Sequence, residues 1–148
     1  MEKTESRLLI PQLRPFYAWV EPLSWALIRL TVGLMILPHG IEKVMMGVDR
    51  TAQMAFVRRG IQPAEPLALI IMVLETLGGL CVALGFFTRF WAAAITIEML
   101  VIASLYYPKF GWTGPGYEYT LMWALVMFAV ALRGGGPYSI DRAIGREL

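Results

Sequence analysis

The chain reads as long apolar stretches separated by short polar ones. Four stretches stand out: roughly Pro22 to Pro38, with the helical pattern running on to about residue 47; Pro66 to Phe87; Phe90 to Tyr107; and Tyr117 to Arg133. Each is long enough to cross a hydrocarbon layer about 30 Å thick, which takes roughly 17 to 25 helical residues. None alternates with period two as barrel strands do, and backbone groups in lipid must be bonded within their own helix. The pattern predicts an all-α membrane protein, a four-transmembrane-helix bundle forming a single domain over residues 1–148.

The connections refine this picture. The longest, Ile41 to Glu65, contains "TAQMAFVRRG", which sets Met54, Phe56 and Val57 beside Arg58 and Arg59 and stops at Gly60. That composition fits a short interfacial helix lying in the headgroup plane, its arginines towards lipid phosphates. Thr88 and Arg89 predict a tight hairpin, so the second and third helices must pack antiparallel. Pro108 to Gly116 is a turn-rich loop, with Trp112 placed as an interfacial anchor.

Composition then names the solvent. Of 148 residues 57% are apolar and 16% charged, with a mean hydropathy of +0.60. A soluble domain of this size cannot bury so much apolar surface, so the bilayer must cover it. The bases Lys3, Arg7, Arg14, Arg89, Arg133, Arg142 and Arg146 fall on the side shared by both termini, against Lys43, Arg50, Arg58, Arg59 and Lys109 on the other. That bias places both termini in the cytoplasm. The run Leu8 to Ile10 is too short for the core of a signal peptide, so the first helix is expected to remain as an anchor. A net charge of +2, without a basic and aromatic strip, argues against nucleic acid as a partner. Cys81, the only cysteine, excludes a disulfide framework and a Cys-x-x-Cys pair.

The informative residues are charges inside the apolar stretches. Arg29, Glu75 and Glu98 each lie about 10 to 14 Å from the near end of their predicted helix at 1.5 Å rise per residue. An ionised side chain facing lipid at that depth costs at least about 2.5 to 3.5 kcal/mol, so the three are expected to face the interior and one another. If Arg29 pairs with one carboxylate, the second acid can be neutral, carry a proton or bind a polar ligand. The plainer alternative is a clasp that fixes helix register. An outer polar rim is expected from "LPHGIEK", where Pro38 kinks the first helix and brings His39, Glu42 and Lys43 to one side, with Glu118 opening the fourth helix at the same face. Lys43 is expected to pair with Glu42 or Glu118. One histidine and one acid are an incomplete metal or haem set, so no metal site is assigned. Gly33, Gly79 and Ala83 flank the charges at helical spacing and mark close contacts between helices.

Arg29 with "GLMILPHGIEK", then "ETLGGLCVALGFFTR", Glu98 with Ala103, Glu118 and finally "GGGPYSIDR" resembles the DoxX family of small four-helix bacterial membrane proteins, over about Leu23 to Arg142. The resemblance implies a location in the bacterial inner membrane and a link to redox chemistry. Relatives belong to a quinone-linked thiosulfate oxidation system or join membrane redox complexes. The expectation is therefore a subunit or accessory of a quinone-linked assembly. It would not be an autonomous enzyme, would hold no covalently bound cofactor, and could take a quinone at the Arg29, Glu75 and Glu98 layer. Its expected partners are the bilayer, a soluble or membrane redox protein and further copies of itself. A transporter or binding protein for a small polar or lipidic molecule, and a non-catalytic scaffold, remain open. "GGGPYSIDR" lacks the Gly-Lys-Ser/Thr of a phosphate loop, so its glycines are read as ending the fourth helix and turning the chain, with Asp141 and Arg142 bonding locally or to a partner.

Overall fold

The computed structural model describes residues 8–111 and 116–147. Trp112, and Lys3 and Arg7 of the charge count, lie outside them. Among the described residues all regular structure is helical. Helix α1 runs unbroken from Arg14 to Met46, 33 residues or about 50 Å at the α-helical rise. It starts well before the predicted Pro22. Pro15 occupies its first turn, where a missing N–H costs nothing. Pro22 and Pro38 both lie inside it, and it stops at Gly47, whose φ of 84° suits glycine.

The short helix α2, Val48–Ala55, and a 3₁₀ turn, Val57–Arg59, fill the predicted interfacial stretch and end at Gly60 in the left-handed conformation. Phe56 is buried and packs with Ala52 on Ala64 and Ala68. The second long helix is built of α3, Ala64–Val73, a π-helical turn, Leu74–Gly78, and α4, Gly79–Leu84.

The chain then reverses over Gly85 to Phe87, one step earlier than predicted. Gly85 sits at φ 73°, and the Phe86 N–H donates to the Cys81 carbonyl at 2.8 Å, a left-handed helix ending. Thr88 and Arg89 therefore open α5, Thr88–Tyr106, rather than forming the turn. The reason is distant: Asp141 binds the α5 N-terminus, as described below. Helix α6, Glu118–Arg133, returns antiparallel along α5, and α7, Ile140–Ile144, folds back over that end.

Three helical segments, Pro11–Met46, Ala64–Leu84 and Thr88–Tyr106, are long and apolar enough to cross a membrane. Helix α6 has 16 residues, about 24 Å, short of the roughly 30 Å layer by itself. Burial follows helical spacing. On α1 the inward stripe is Trp25, Arg29, Val32, Gly33, Ile36 and Gly40. It packs with Val82, Ala92, Ile95, Met99, Trp123, Met127 and Val130 in one core. Large apolar side chains also cover the outside, among them Leu27, Leu34, Leu69, Ile97 and Leu125. A molecule apolar on both faces of its helices is built for lipid.

Candidate functional site

The site begins with missing side chains. A Cβ on Gly33 would lie 2.6 Å from the Gly79 carbonyl oxygen, and one on Gly40 would lie 2.6 Å from the Glu75 carbonyl carbon. Helix α1 thus rests backbone to backbone on the second span, along the seam expected from Gly33, Gly79 and Ala83. Gly40 extends that seam to Glu75. In a regular helix each step of four residues overshoots a full turn by about 40°. The wider π turn at Leu74–Gly78 offsets this drift, so Glu75, Gly79 and Ala83 all meet α1.

Close approach at Gly40 brings Lys43, one turn further on, over Glu75. The Lys43 ammonium donates to Glu75 Oε2 in a direct ion pair, and also to the His39 carbonyl at 3.4 Å. Glu75 is 3% exposed and Glu98, opposite it on α5, is 7% exposed. The two carboxyl groups are within hydrogen-bonding reach of each other, with Lys43 in the same field. Neither oxygen of Glu98 receives a hydrogen bond from a described residue. Lys43 therefore does not pair with Glu42 or Glu118, as the sequence reading expected. A buried carboxylate outcompetes an exposed one for the ammonium, because solvated pairs gain little.

A cleft of about 360 Å³ leads to this cluster from between α1, α5 and α6. His39, Lys43 and Glu75 form its polar part, and Met35, Tyr106, Tyr119 and Trp123 form much of its apolar wall. Its size lies near the lower end of small-molecule sites, about 300 to 1,000 Å³. Of the expected rim, His39 is exposed yet borders the cleft, Glu42 is exposed, and Glu118 is half-buried at the start of α6, next to the lining residues Tyr119 and Thr120.

Arg29 is elsewhere. It is 14 positions before Lys43 on the same helix, about 21 Å along the axis, and its partners are carbonyls: Nη1 donates to Gly135 at 2.6 Å and Nη2 to Tyr138 at 2.8 Å. Its predicted layer with Glu75 and Glu98 does not form. The depth estimate started α1 at Pro22, whereas the bundle end lies beside Arg29 itself. Trp25 Nε1 donates to the Gly134 carbonyl at 3.1 Å, and the Arg133 guanidinium stacks 4.5 Å from the Trp25 ring centroid. Asp141, 1% exposed, accepts from the Phe87 N–H at 2.7 Å, the Thr88 N–H at 3.0 Å and the Thr88 hydroxyl at 2.6 Å. "GGGPYSIDR" is thus a latch that caps α5 from a remote part of the chain.

Sequence reasoning missed Gly40 and the aromatic wall, and it expected Asp141 to bond locally or to a partner rather than to the start of α5. Gly40 was legible as the residue seven after Gly33, on the same face. Asp141 had a local signal in Ser139, whose hydroxyl accepts from the Arg142 N–H at 3.1 Å and starts α7, but nothing local announced its partner.

Three apolar helices of spanning length, packed around a buried charged cluster, define a helical integral membrane protein. It belongs to the DoxX family: the DoxX family model matches residues 24–108, more than half of the chain. The match takes in Arg29, His39, Glu42, Lys43, Glu75 and Glu98 and ends at Pro108, before α6 and the latch. No curated protein and no solved structure matches the chain.

Proposed function

We propose that this chain is an inner-membrane accessory subunit of a quinone-linked redox assembly, and that its cleft holds the quinone head group. The carrying observation is a cleft between the apolar helices whose polar part is the ion pair of the partly exposed Lys43 with the buried Glu75. A quinone is a flat ring with two carbonyl oxygens. Trp123 and Tyr119 offer aromatic faces to such a ring, and the Lys43 ammonium and His39 offer donors to its oxygens. Apolar walls towards Met35 suit the isoprenoid tail. The quinone supplies redox chemistry when bound, and a soluble or membrane partner exchanges electrons with it. This chain binds, orients and excludes water.

The same proposal makes α6 a fourth spanning helix, completed by its flanking residues, with α2 in the headgroup plane and both termini in the cytoplasm. It also leaves room for self-association through the apolar outer faces. A carrier or binding protein for another small amphipathic molecule would use the same cleft and differs in what occupies it.

Extraction of the protein purified in mild detergent tests the reading. Stoichiometric quinone is expected, falling roughly tenfold in Trp123→Ala, the effect of removing about 1.4 kcal/mol of ring contact. Quinone at trace level in the unmodified protein, or a different amphipathic molecule in its place, overturns it.

A further inference from the structure

The cleft explains Lys43 and Glu75 but leaves Glu98 without employment. Glu98 is buried on α5, does not line the cleft, and both of its oxygens lack donors among the described residues. A carboxylate can only accept hydrogen bonds, whereas a carboxylic acid also donates one. The group within reach of Glu98 is itself a carboxylate, Glu75. A single proton between the two acids converts an unpaired neighbour into a hydrogen bond.

Charge counting leads to the same state. The ionisable groups facing the cluster are Lys43 and His39 from α1, Glu75 from the π turn and Glu98 from α5, with the phenols of Tyr106 and Tyr119 on the cleft wall. Within the cluster itself one ammonium, Lys43, stands against two carboxyl groups, Glu75 and Glu98. The cluster is neutral when it carries one added proton, and a neutral cluster is the form that lipid-depth surroundings favour.

We propose that Glu75 and Glu98 together hold one transferable proton, which Glu75 presents to the cleft. Glu98 is the inner store, and Glu75, the only one of the two that lines the cleft, is the outlet. In delivery an O–H bond on Glu98 breaks as one forms on Glu75. The proton then passes from Glu75 to a basic oxygen in the cleft, in a quinone one made basic by electrons from the redox partner, and neither acid changes oxidation state. Delivery leaves two carboxylates against Lys43, so the store refills before it serves again. Only the identity of the acceptor, a quinone oxygen rather than water, rests on the function proposed above.

Infrared spectroscopy of the ligand-free protein in bilayers reads this store directly, through the carbonyl stretch of a buried carboxylic acid and its shift in heavy water. The unmodified protein should show the band at neutral pH. Glu98→Gln and Glu75→Gln should each abolish it, because either leaves one carboxylate facing one ammonium. Lys43→Met should roughly double it, since two acids without a counter-charge hold two protons. Lys43 is partly exposed, so this variant keeps the test open should a glutamine variant fail to fold. No band in the unmodified protein, or a band indifferent to Lys43→Met, overturns the proposal. Empty clefts on extraction would overturn the quinone reading and leave this result untouched.

Discussion

A methyl group on Gly33 would have to enter the backbone of the second span, which has no side-chain end to swing aside. Overpacking of this kind costs about 1–3 kcal/mol. Gly33→Ala should therefore lower the thermal unfolding midpoint in detergent by several degrees, whereas Leu34→Ala, at a lipid-facing position, should leave it nearly unchanged. Equal midpoints for the two variants would contradict the backbone seam. The same scale shows what the sequence could reveal. Glu75 and Glu98 were conspicuous because acids are rare in apolar helices. Lys43 was visible too, but its partner depended on Gly40 and on the phase of a turn in another helix. Arg29 was assigned to the wrong neighbours because its actual acceptors, the carbonyls of Gly135 and Tyr138, carry no residue identity.

At the level of elements, the start of α5 is stabilised from outside itself. Its N-cap position, Phe87, has a positive φ of 46° and makes no side-chain cap. Asp141 supplies the missing acceptor. An Asp141→Ala substitution strands two N–H groups and a hydroxyl in a buried place, and a loss of about 2–4 kcal/mol is expected. Asp141→Asn, which keeps one acceptor oxygen, should lose about half of that. Thermal or denaturant unfolding checks the order, and an Asn variant weaker than Ala would count against the capping role. Arg89 closes the other side of the joint by donating to the Ala131 carbonyl at 3.1 Å and the Arg133 carbonyl at 3.3 Å. The apolar pattern located all the long helices, because lipid imposes one rule on every residue in the span. Their ends were misplaced where a tertiary cap, as at Thr88, or a tolerated proline, as at Pro22, decided the boundary.

The whole molecule has two chemically different ends. One gathers Trp25, Arg29, Thr88 and Asp141 into a hydrogen-bonded joint. The other opens a cleft towards Lys43, Glu75 and Glu98. If α1 crosses the bilayer once, Gln12 and Arg58 face opposite compartments. Cysteines placed singly at those positions, in a Cys81→Ser background, should react with a membrane-impermeant maleimide from opposite sides of a vesicle. Arg146→Cys should label with Gln12→Cys, on the side of the latch. Labelling of residues 12 and 58 from one side would remove the spanning role of α1. Membrane class and family were readable from the chain because both reside in local runs of residues. The division of charge between the ends was not, because it depends on where α1 begins and where residues 134–147 fold.

The π turn has a further consequence for how this protein can change. It holds one residue more than an α-helical path of the same length, and each residue turns an α-helix by about 100°. Rewinding the turn would act as a crank, carrying the Glu75 carboxylate off the α1 seam while α4 stays seated on Gly33. The extra residue therefore sets the phase at which the second span presents Glu75 to Lys43.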